Sequence, residues 1–323
     1  MDARKLVTRA GADKAAIPKR TTDGKVASEI AGSVYRGSVG ISLRTDASRR
    51  PMCRARRAAR QAGRPRYPRH ANSKATFPCR LLFCAAMPAY TTREELLALA
   101  TSFRDVAAED IKRAQTAECV HAVTLRAHAR LNELEMQLFA EHRVCVDCKA
   151  GCGTCCHLGK IDARAHEVFA LADWITRNFS NEDRAAVLAR AQAHAAAVAP
   201  LTLEAHLRTV RACPLLRDMS CSAHPARPGV CRIGHSTDVR ICERAFQNPD
   251  DLAAKGGSHA VSKLAMTVAS DGTSFAFLEA GLDKTVYDLG SALAEALGDP
   301  SAQDRWLAGE RAFSDAAKAK QEP

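Results

Sequence analysis

The chain has 323 residues, of which 46% are hydrophobic, 26% are charged and only 5% are aromatic. This length allows one large domain or two small ones, each with a buried core. No stretch approaches the roughly 20 apolar residues that a membrane-spanning helix requires, so the sequence predicts a soluble chain without a membrane partner.

The positive charge of the chain lies at one end. The formal net charge is +11, but residues 1–86 alone hold 20 Lys and Arg against 5 Asp and Glu. From Met87 onward the chain has 27 basic and 31 acidic residues, a balance of −4. A nucleic-acid-binding core should itself be basic, so we predict no nucleic-acid partner.

The basic segment 1–86 shows neither helical nor strand periodicity, and this composition is typical of disordered chain. Three interpretations stay open: a disordered tail, a targeting peptide, or upstream sequence that is not translated because Met87 is the true start. The predicted organisation is therefore a disordered segment, 1–86, followed by a helical cysteine-cluster domain, 87–323.

Helical patterning begins just after Met87. Thr92 and Glu95 form a capping-box pattern that predicts a helix start, and helical spacing continues to about His142. Leu131, Leu134, Leu138 and Phe139 fall on one face of that helix. Asp162 is predicted to cap a helix that ends near Asn178.

Further helices are predicted toward the C-terminus, and no alternation is long enough to predict a large sheet. Ser180 with Asp183 predicts the start of a helix that ends before Pro200. The other predicted helical segments are Leu201–Arg211, 284–297 and 301–319, whereas Cys213–Cys242 is predicted to be irregular. The predicted fold class is mainly α, with helices around irregular cysteine-rich loops.

Nine of the thirteen cysteines lie between Cys145 and Cys242. The chain does not open with a charged-then-apolar signal peptide, so we expect a cytoplasmic protein with reduced thiols. In such a protein, closely spaced cysteines more often bind metal or react than form disulfides. The first group comprises Cys148, Cys152, Cys155 and Cys156, and the second comprises Cys213, Cys221 and Cys231.

Glycines in the first group and prolines in the second suit loops that turn several thiolates toward one point. Thiolates at such spacing bind zinc or an iron–sulfur cluster, so we predict metal ligands at the seven residues Cys148, Cys152, Cys155, Cys156, Cys213, Cys221 and Cys231. Cys145 and Cys242 are weaker candidates because they lie at the edges. Arg227 and Arg232 are expected to offset thiolate charge.

The pattern Cys148-x-x-x-Cys152-x-x-Cys155-Cys156, followed by Cys213-Pro-x-Leu, Cys221 and Arg227-Pro-x-x-Cys231-Arg232, resembles the YkgJ family of cysteine-cluster proteins. His224 departs from this pattern, because the family has Tyr there. The resemblance implies a zinc- or iron-chelating domain over about Val144–Cys242. Because the family includes flagellin lysine methylases, it also implies an iron–sulfur enzyme as one outcome.

Three functions therefore stay open. The first is a cytoplasmic metal-binding protein with an iron–sulfur or zinc centre. The second is an iron–sulfur-dependent enzyme resembling protein lysine methylases, for which the sequence assigns no catalytic residue. The third is a structural zinc module that binds a protein partner, which the sequence does not identify.

Overall fold

A computed structural model describes residues 89–149, 151–157, 160–251 and 256–320. The predicted disordered segment 1–86 lies outside these residues. The predicted mainly α fold is confirmed, since the structure is 64% helical with ten helices and little sheet in its described part. None of the helices described there combines the length and apolar character needed to cross a membrane.

Two long helices open the described chain, in the region where the sequence predicted helical structure to about His142. They are α1, Arg93–Arg113, and α2, Ala117–Glu141. The predicted capping box is present: Thr92 accepts a hydrogen bond from the backbone of Glu95, whose side chain returns to the Thr92 backbone. The two helices are separated at Ala114–Thr116, because Thr116 adopts an extended conformation and caps α2 by accepting a hydrogen bond from the Cys119 backbone.

Three helices follow the first cysteine segment: α3, Ala165–Asn178; α4, Asn181–Val198; and α5, Leu203–Leu207. The Ser180 cap of α4 is confirmed by its hydrogen bond from the Asp183 backbone. The predicted Asp162 cap was wrong. Asp162 begins strand β1, Asp162–Arg164, and Arg164 is the residue that precedes α3.

The second cysteine segment contains more regular structure than predicted. It folds into a hairpin, a 3₁₀ turn at His224–Ala226 and a short helix, and a longer helix carries its last cysteine. The hairpin strands are β2, Leu216–Arg217, and β3, Ser220–Cys221; the helices are α6, Gly229–Ile233, and α7, Val239–Gln247. The elements are too short for sequence periodicity to reveal them.

The C-terminal part comprises α8, Ala260–Glu279; β4, Val286–Asp288; α9, Leu289–Gly298; and α10, Ala302–Leu307. The helix predicted over 284–297 begins later than expected, because β4 pairs antiparallel with β1 and places Asp288 opposite Asp162. The helix predicted over 301–319 ends at Leu307 and is followed by a 3₁₀ turn, Asp315–Ala317.

An aromatic core fixes these helices around one another. The rings of Phe169 and Trp306 stack at 4.9 Å, and Tyr287 and Phe313 meet edge to face at the same distance. On another side α1 packs closely on α8, where a Cβ at Gly272 would lie only 2.3 Å from the Ala100 carbonyl oxygen. A rigid helical frame of this kind can hold irregular loops in fixed positions.

Candidate metal centre

The first cysteine segment leaves the end of α2 as a loop and closes into a 3₁₀ turn, Thr154–His157. Cys155 and Cys156 lie in that turn, which the Cys156 N–H closes by donating to the Gly153 carbonyl at 3.0 Å. A Cβ at Gly153 would approach the Met219 carbonyl oxygen and the Leu216 side chain to 2.9 Å. Glycine therefore lets this turn pack directly on the β2–β3 hairpin.

Backbone hydrogen bonds join the two cysteine segments. The Cys213 N–H donates to the Cys156 carbonyl at 2.8 Å, and the Arg211 N–H donates to the His157 carbonyl at 2.9 Å. At the other end of the segment, the Ser236 N–H donates to the Cys148 thiol sulfur at 3.3 Å. Thiols more than 50 residues apart in sequence are thus held next to each other.

The thiols around Cys155 divide into two neighbourhoods. Cys155 interacts electrostatically with a core group that consists of Cys156, Cys213, Cys221 and Cys231. It also interacts with Cys148, whose other thiol neighbours are Cys152 and Cys242. Cys155 therefore links the two neighbourhoods, and the adjacent Cys156 belongs to the core group.

Burial and mutual repulsion keep most of these thiols protonated without a cation. Burial, followed by the neighbouring thiolates, raises the pKa of Cys213 to about 12 and also raises the pKa values of Cys221 and Cys231. The hydrogen bond from Cys156 lowers the pKa of Cys155 to about 6 and raises the pKa of Cys156. A bound cation would relieve this repulsion, because thiolates are its ligands.

Two arginines bring positive charge to the core group. Arg227 lowers the pKa values of Cys155, Cys221 and Cys231, and its buried Nε has no hydrogen-bond partner among the described residues. An unpaired buried N–H beside thiols suits an anionic, thiolate-ligated group. Arg232 instead braces the loop: its guanidinium donates to the carbonyls of Pro225 and Arg227 at 2.6 and 2.9 Å.

Cys231 is positioned by a buried carboxylate, Glu167, which had no predicted role. Glu167, on α3, accepts a hydrogen bond from the Gly229 N–H at 2.7 Å, at the first residue of α6. Its other oxygen accepts from the Arg164 N–H at 3.0 Å. The sequence signal for this role is weak, because a Glu in the first turn of a helix usually only caps its own helix.

The structure brings all seven predicted ligands into the two joined segments, and their role in metal binding stays a prediction. Cys242, which spacing alone ranked low, lies on α7 within electrostatic range of Cys148. Of the two histidines beside the cysteines, His157 contacts the Gly153 carbonyl at 3.1 Å and packs on Phe246. His224 is exposed.

A cleft of about 380 Å³ adjoins the helix that carries Cys231. Its lining includes Val230 and Gly234 from that helix region, and the charged residues Arg164, Lys263 and Asp271. Burial raises the pKa of Asp271 to about 6. The cleft therefore offers space and a carboxyl group of changed acidity close to the cysteine segments.

Comparison with known proteins supports a metal-binding role. Residues 147–252 match the family model CxxCxxCC, described as "Putative zinc- or iron-chelating domain". The match takes in eight cysteines, from Cys148 to Cys242. No curated protein and no solved structure matches the chain. The match supports the chelating domain, and the resemblance to the YkgJ family stays a prediction.

Proposed function

We propose that this chain is a cytoplasmic metal-binding protein whose clustered thiolates hold an iron–sulfur centre. The observation that carries the proposal is that Cys155 interacts with thiols of both groups, while the adjacent Cys156 belongs to the core group. The proposed ligands come from Cys148, Cys152, Cys155, Cys156, Cys213, Cys221 and Cys231. Clustered thiols of this kind stay reduced in the cytosol.

Iron is favoured over zinc by the number and spacing of these ligands. One zinc ion binds four ligands with Zn–S bonds near 2.3 Å, so its sulfurs lie about 3.8 Å apart. Two neighbouring thiols on one 3₁₀ turn can bind different metal atoms of a polynuclear centre more easily than they can both bind the same tetrahedral ion. The unpaired Nε–H of Arg227 adds a donor of the kind that tunes cluster sulfurs.

When bound, such a cluster would supply one-electron redox chemistry or a Lewis-acidic iron. The protein's own contribution would be to orient the thiolates and to balance their charge. Cys156 and Cys213 share a backbone hydrogen bond, so their thiols are held in fixed register. Arg227 and Arg232 place positive charge within range of Cys221.

The test is anaerobic purification followed by measurement of iron, zinc and acid-labile sulfide. We expect a brown protein with iron and sulfide in equal amounts. Replacing Cys213 or Cys231 by Ser should remove most of both, because each thiol belongs to the core group. Cys119→Ser is the matched control, since Cys119 is exposed on α2. A colourless sample with stoichiometric zinc would overturn the iron–sulfur assignment.

The cleft beside Cys231 favours a second candidate, an iron–sulfur-dependent enzyme that acts on a lysine-bearing polypeptide. Asp271 would attract a lysine ammonium group, and Val230 and Thr267 would contact its aliphatic stem. We expect a lysine-containing peptide to bind the intact protein and Asp271→Asn to weaken that binding while cluster content is unchanged. Equal peptide binding by both proteins would argue against this candidate.

A further inference from the structure

Three buried side chains converge at a place that the thiol centre does not use. They are His194 on α4, His206 on α5 and Asp288 at the end of β4, with exposed fractions of 6%, 1% and 4%. One potential ligand atom from each lies within 4.8 Å of the other two. His194 Nε2 is 3.0 Å from Asp288 Oδ1, and His206 Nε2 is 3.9 Å from Asp288 Oδ2.

Two of the facing atoms have no hydrogen-bond partner in the described part of the chain: His206 Nε2 and Asp288 Oδ2. Their 3.9 Å separation is too long for a hydrogen bond. Buried polar atoms are nearly always paired, so an unpaired ring nitrogen that faces an unpaired carboxylate oxygen requires an explanation. A group bound between the two atoms would satisfy both.

The separations suit a metal ion. Histidine nitrogens and carboxylate oxygens bind zinc at 2.0–2.2 Å, so ligand atoms around a tetrahedral ion lie about 3.4 Å apart. The 3.9 Å between His206 Nε2 and Asp288 Oδ2 is close to this value, and one ligand atom of each of the three residues lies within 4.8 Å of the others. Small side-chain rotations would bring all three ligands to one ion.

Neighbouring residues hold the carboxylate and one ring in place. The N–H and Oγ of Ser291 donate to Asp288 Oδ1 at 2.9 and 2.7 Å, which leaves Oδ2 available. A Cβ at Gly290 would lie 2.3 Å from the His194 ring, so only glycine allows this approach. Outer contacts that orient ligands in this way are typical of metal sites.

A further carboxylate lies on the opposite strand, outside the group of three whose ligand atoms lie within 4.8 Å of one another. Asp162 pairs with Asp288 across β1 and β4, and its Oδ1 is buried without a hydrogen-bond partner among the described residues. Lys160 and Lys320 lie within electrostatic range of His206, but both ammonium groups already contact oxygen atoms. Lys160 pairs with Asp162, and Lys320 donates to the carbonyls of Ala199 and Leu201.

We propose that His194, His206 and Asp288 form a second, mononuclear site for a divalent transition-metal ion, with nitrogen and oxygen ligands. Two histidines and one carboxylate are the ligand set of catalytic zinc and of non-haem Fe(II) sites. The site shares no ligand with the thiol centre, although Asp288 lies within electrostatic range of Cys213. A metal here would be bound beside the thiol centre rather than in it.

Cobalt(II) distinguishes the two sites, because thiolate ligands give intense charge-transfer absorption and nitrogen and oxygen ligands do not. The full chain, purified anaerobically, is analysed for retained metal and then titrated with Co(II). The quantity compared is total bound metal, the sum of retained metal and cobalt. We expect this total to be one equivalent higher in the wild type than in His206→Gln, and the additional cobalt should show no thiolate band. The variant should lose more than about tenfold in affinity at this site.

The matched control is His121→Gln, since His121 is equally buried on α2 and its ring nitrogens also lack hydrogen-bond partners in the described part of the chain. It should keep the extra equivalent. Asp288→Asn, which retains an acceptor for Ser291, gives a second variant if His206→Gln does not fold. Equal totals in wild type and variants, or cobalt bound only with a thiolate band, would overturn the site. The wild-type titration decides the question even if both variants are unstable.

Discussion

Glu167 shows how one buried side chain can link the helical frame to the cysteine loops. Burial alone would raise the pKa of its carboxyl group. The hydrogen bond from His128, the charges of both neighbouring histidines and the Arg164 N–H outweigh burial and lower the pKa to about 2. The carboxylate is therefore ionised in the folded protein, where it holds the start of α6, and thereby Cys231, against α3.

Replacing Glu167 by Gln should destabilise the protein by about 2–3 kcal/mol, because a charged acceptor of three hydrogen bonds is lost. Metal content should fall with it, since α6 loses its anchor. Urea unfolding of wild type, Glu167→Gln and the exposed control Glu182→Gln measures the difference. A loss no larger than that of the control would show that the carboxylate does not anchor α6.

The difference in free energy of unfolding between wild type and Glu167→Gln should depend on pH through the pKa of Glu167. A pKa lowered from 4.5 to about 2 means that the folded state binds this proton less readily than the unfolded chain does. The contribution, about 3 kcal/mol, is fully present above the unfolded value and is lost as pH falls toward the folded value. The stability gap between wild type and Glu167→Gln, measured on metal-free protein, should therefore narrow from pH 5 downward.

At the scale of elements, local signals were predictable and long-range pairings were not. The caps at Thr92 and Ser180 depend on residues three positions away, so the sequence predicted both. Asp162 was misassigned because its strand forms only by pairing with residues 286–288, more than 120 positions later. The His194, His206 and Asp288 cluster was missed for the same reason.

The candidate thiol site was more predictable than the fold around it, because cysteine is rare and its spacing carries information. Seven cysteines could be selected from spacing alone, and the family model covers the same segment. Spacing did not reveal Glu167 or the place of Cys242, since both depend on how α3 and α7 pack against the loops.

The contact between the 3₁₀ turn and the β2–β3 hairpin makes Gly153 the most sensitive position between these two elements. Gly153→Ala would place a methyl group 2.9 Å from the Met219 carbonyl oxygen. Such overpacking costs about 1–3 kcal/mol, which corresponds to a 5- to 150-fold loss of metal affinity if the turn shifts. Gly256→Ala is the control, because no atom of the described residues lies within 4 Å of its added carbon. Competition with a chromogenic chelator measures the metal affinity of both variants. Equal affinities of Gly153→Ala and Gly256→Ala would contradict the proposed contact.

At the scale of the whole molecule, the helical frame and the cysteine loops differ in how much apolar surface they bury. Trp306, Tyr287, Phe169 and Phe277 are almost fully buried in the helical frame. The cysteine loops bury far less, mainly Leu215, Ala223, Ala226 and Ile233. The loops should therefore depend on the metal more than the frame does.

Metal removal should accordingly loosen only part of the molecule. We expect amide exchange to accelerate in 145–157 and 211–242 after chelation, while α8 and the aromatic core stay protected. Hydrogen-exchange mass spectrometry with and without chelator measures this, and peptides from α8 serve as the internal control. Loss of protection throughout the chain would show instead that the metal holds the entire fold.

The hydrogen bond between Cys156 and Cys213 also sets an order of events during synthesis. Fifty-six residues separate the two cysteines in the sequence. At a translation rate of about 5–20 residues per second, the ribosome adds Cys213 roughly 3–11 s after Cys156. During that interval the thiols of the nascent first segment lack their partners and are open to oxidation or to the wrong ion. A metal bound by both segments, as proposed, can therefore gain all its ligands only after the second segment is translated.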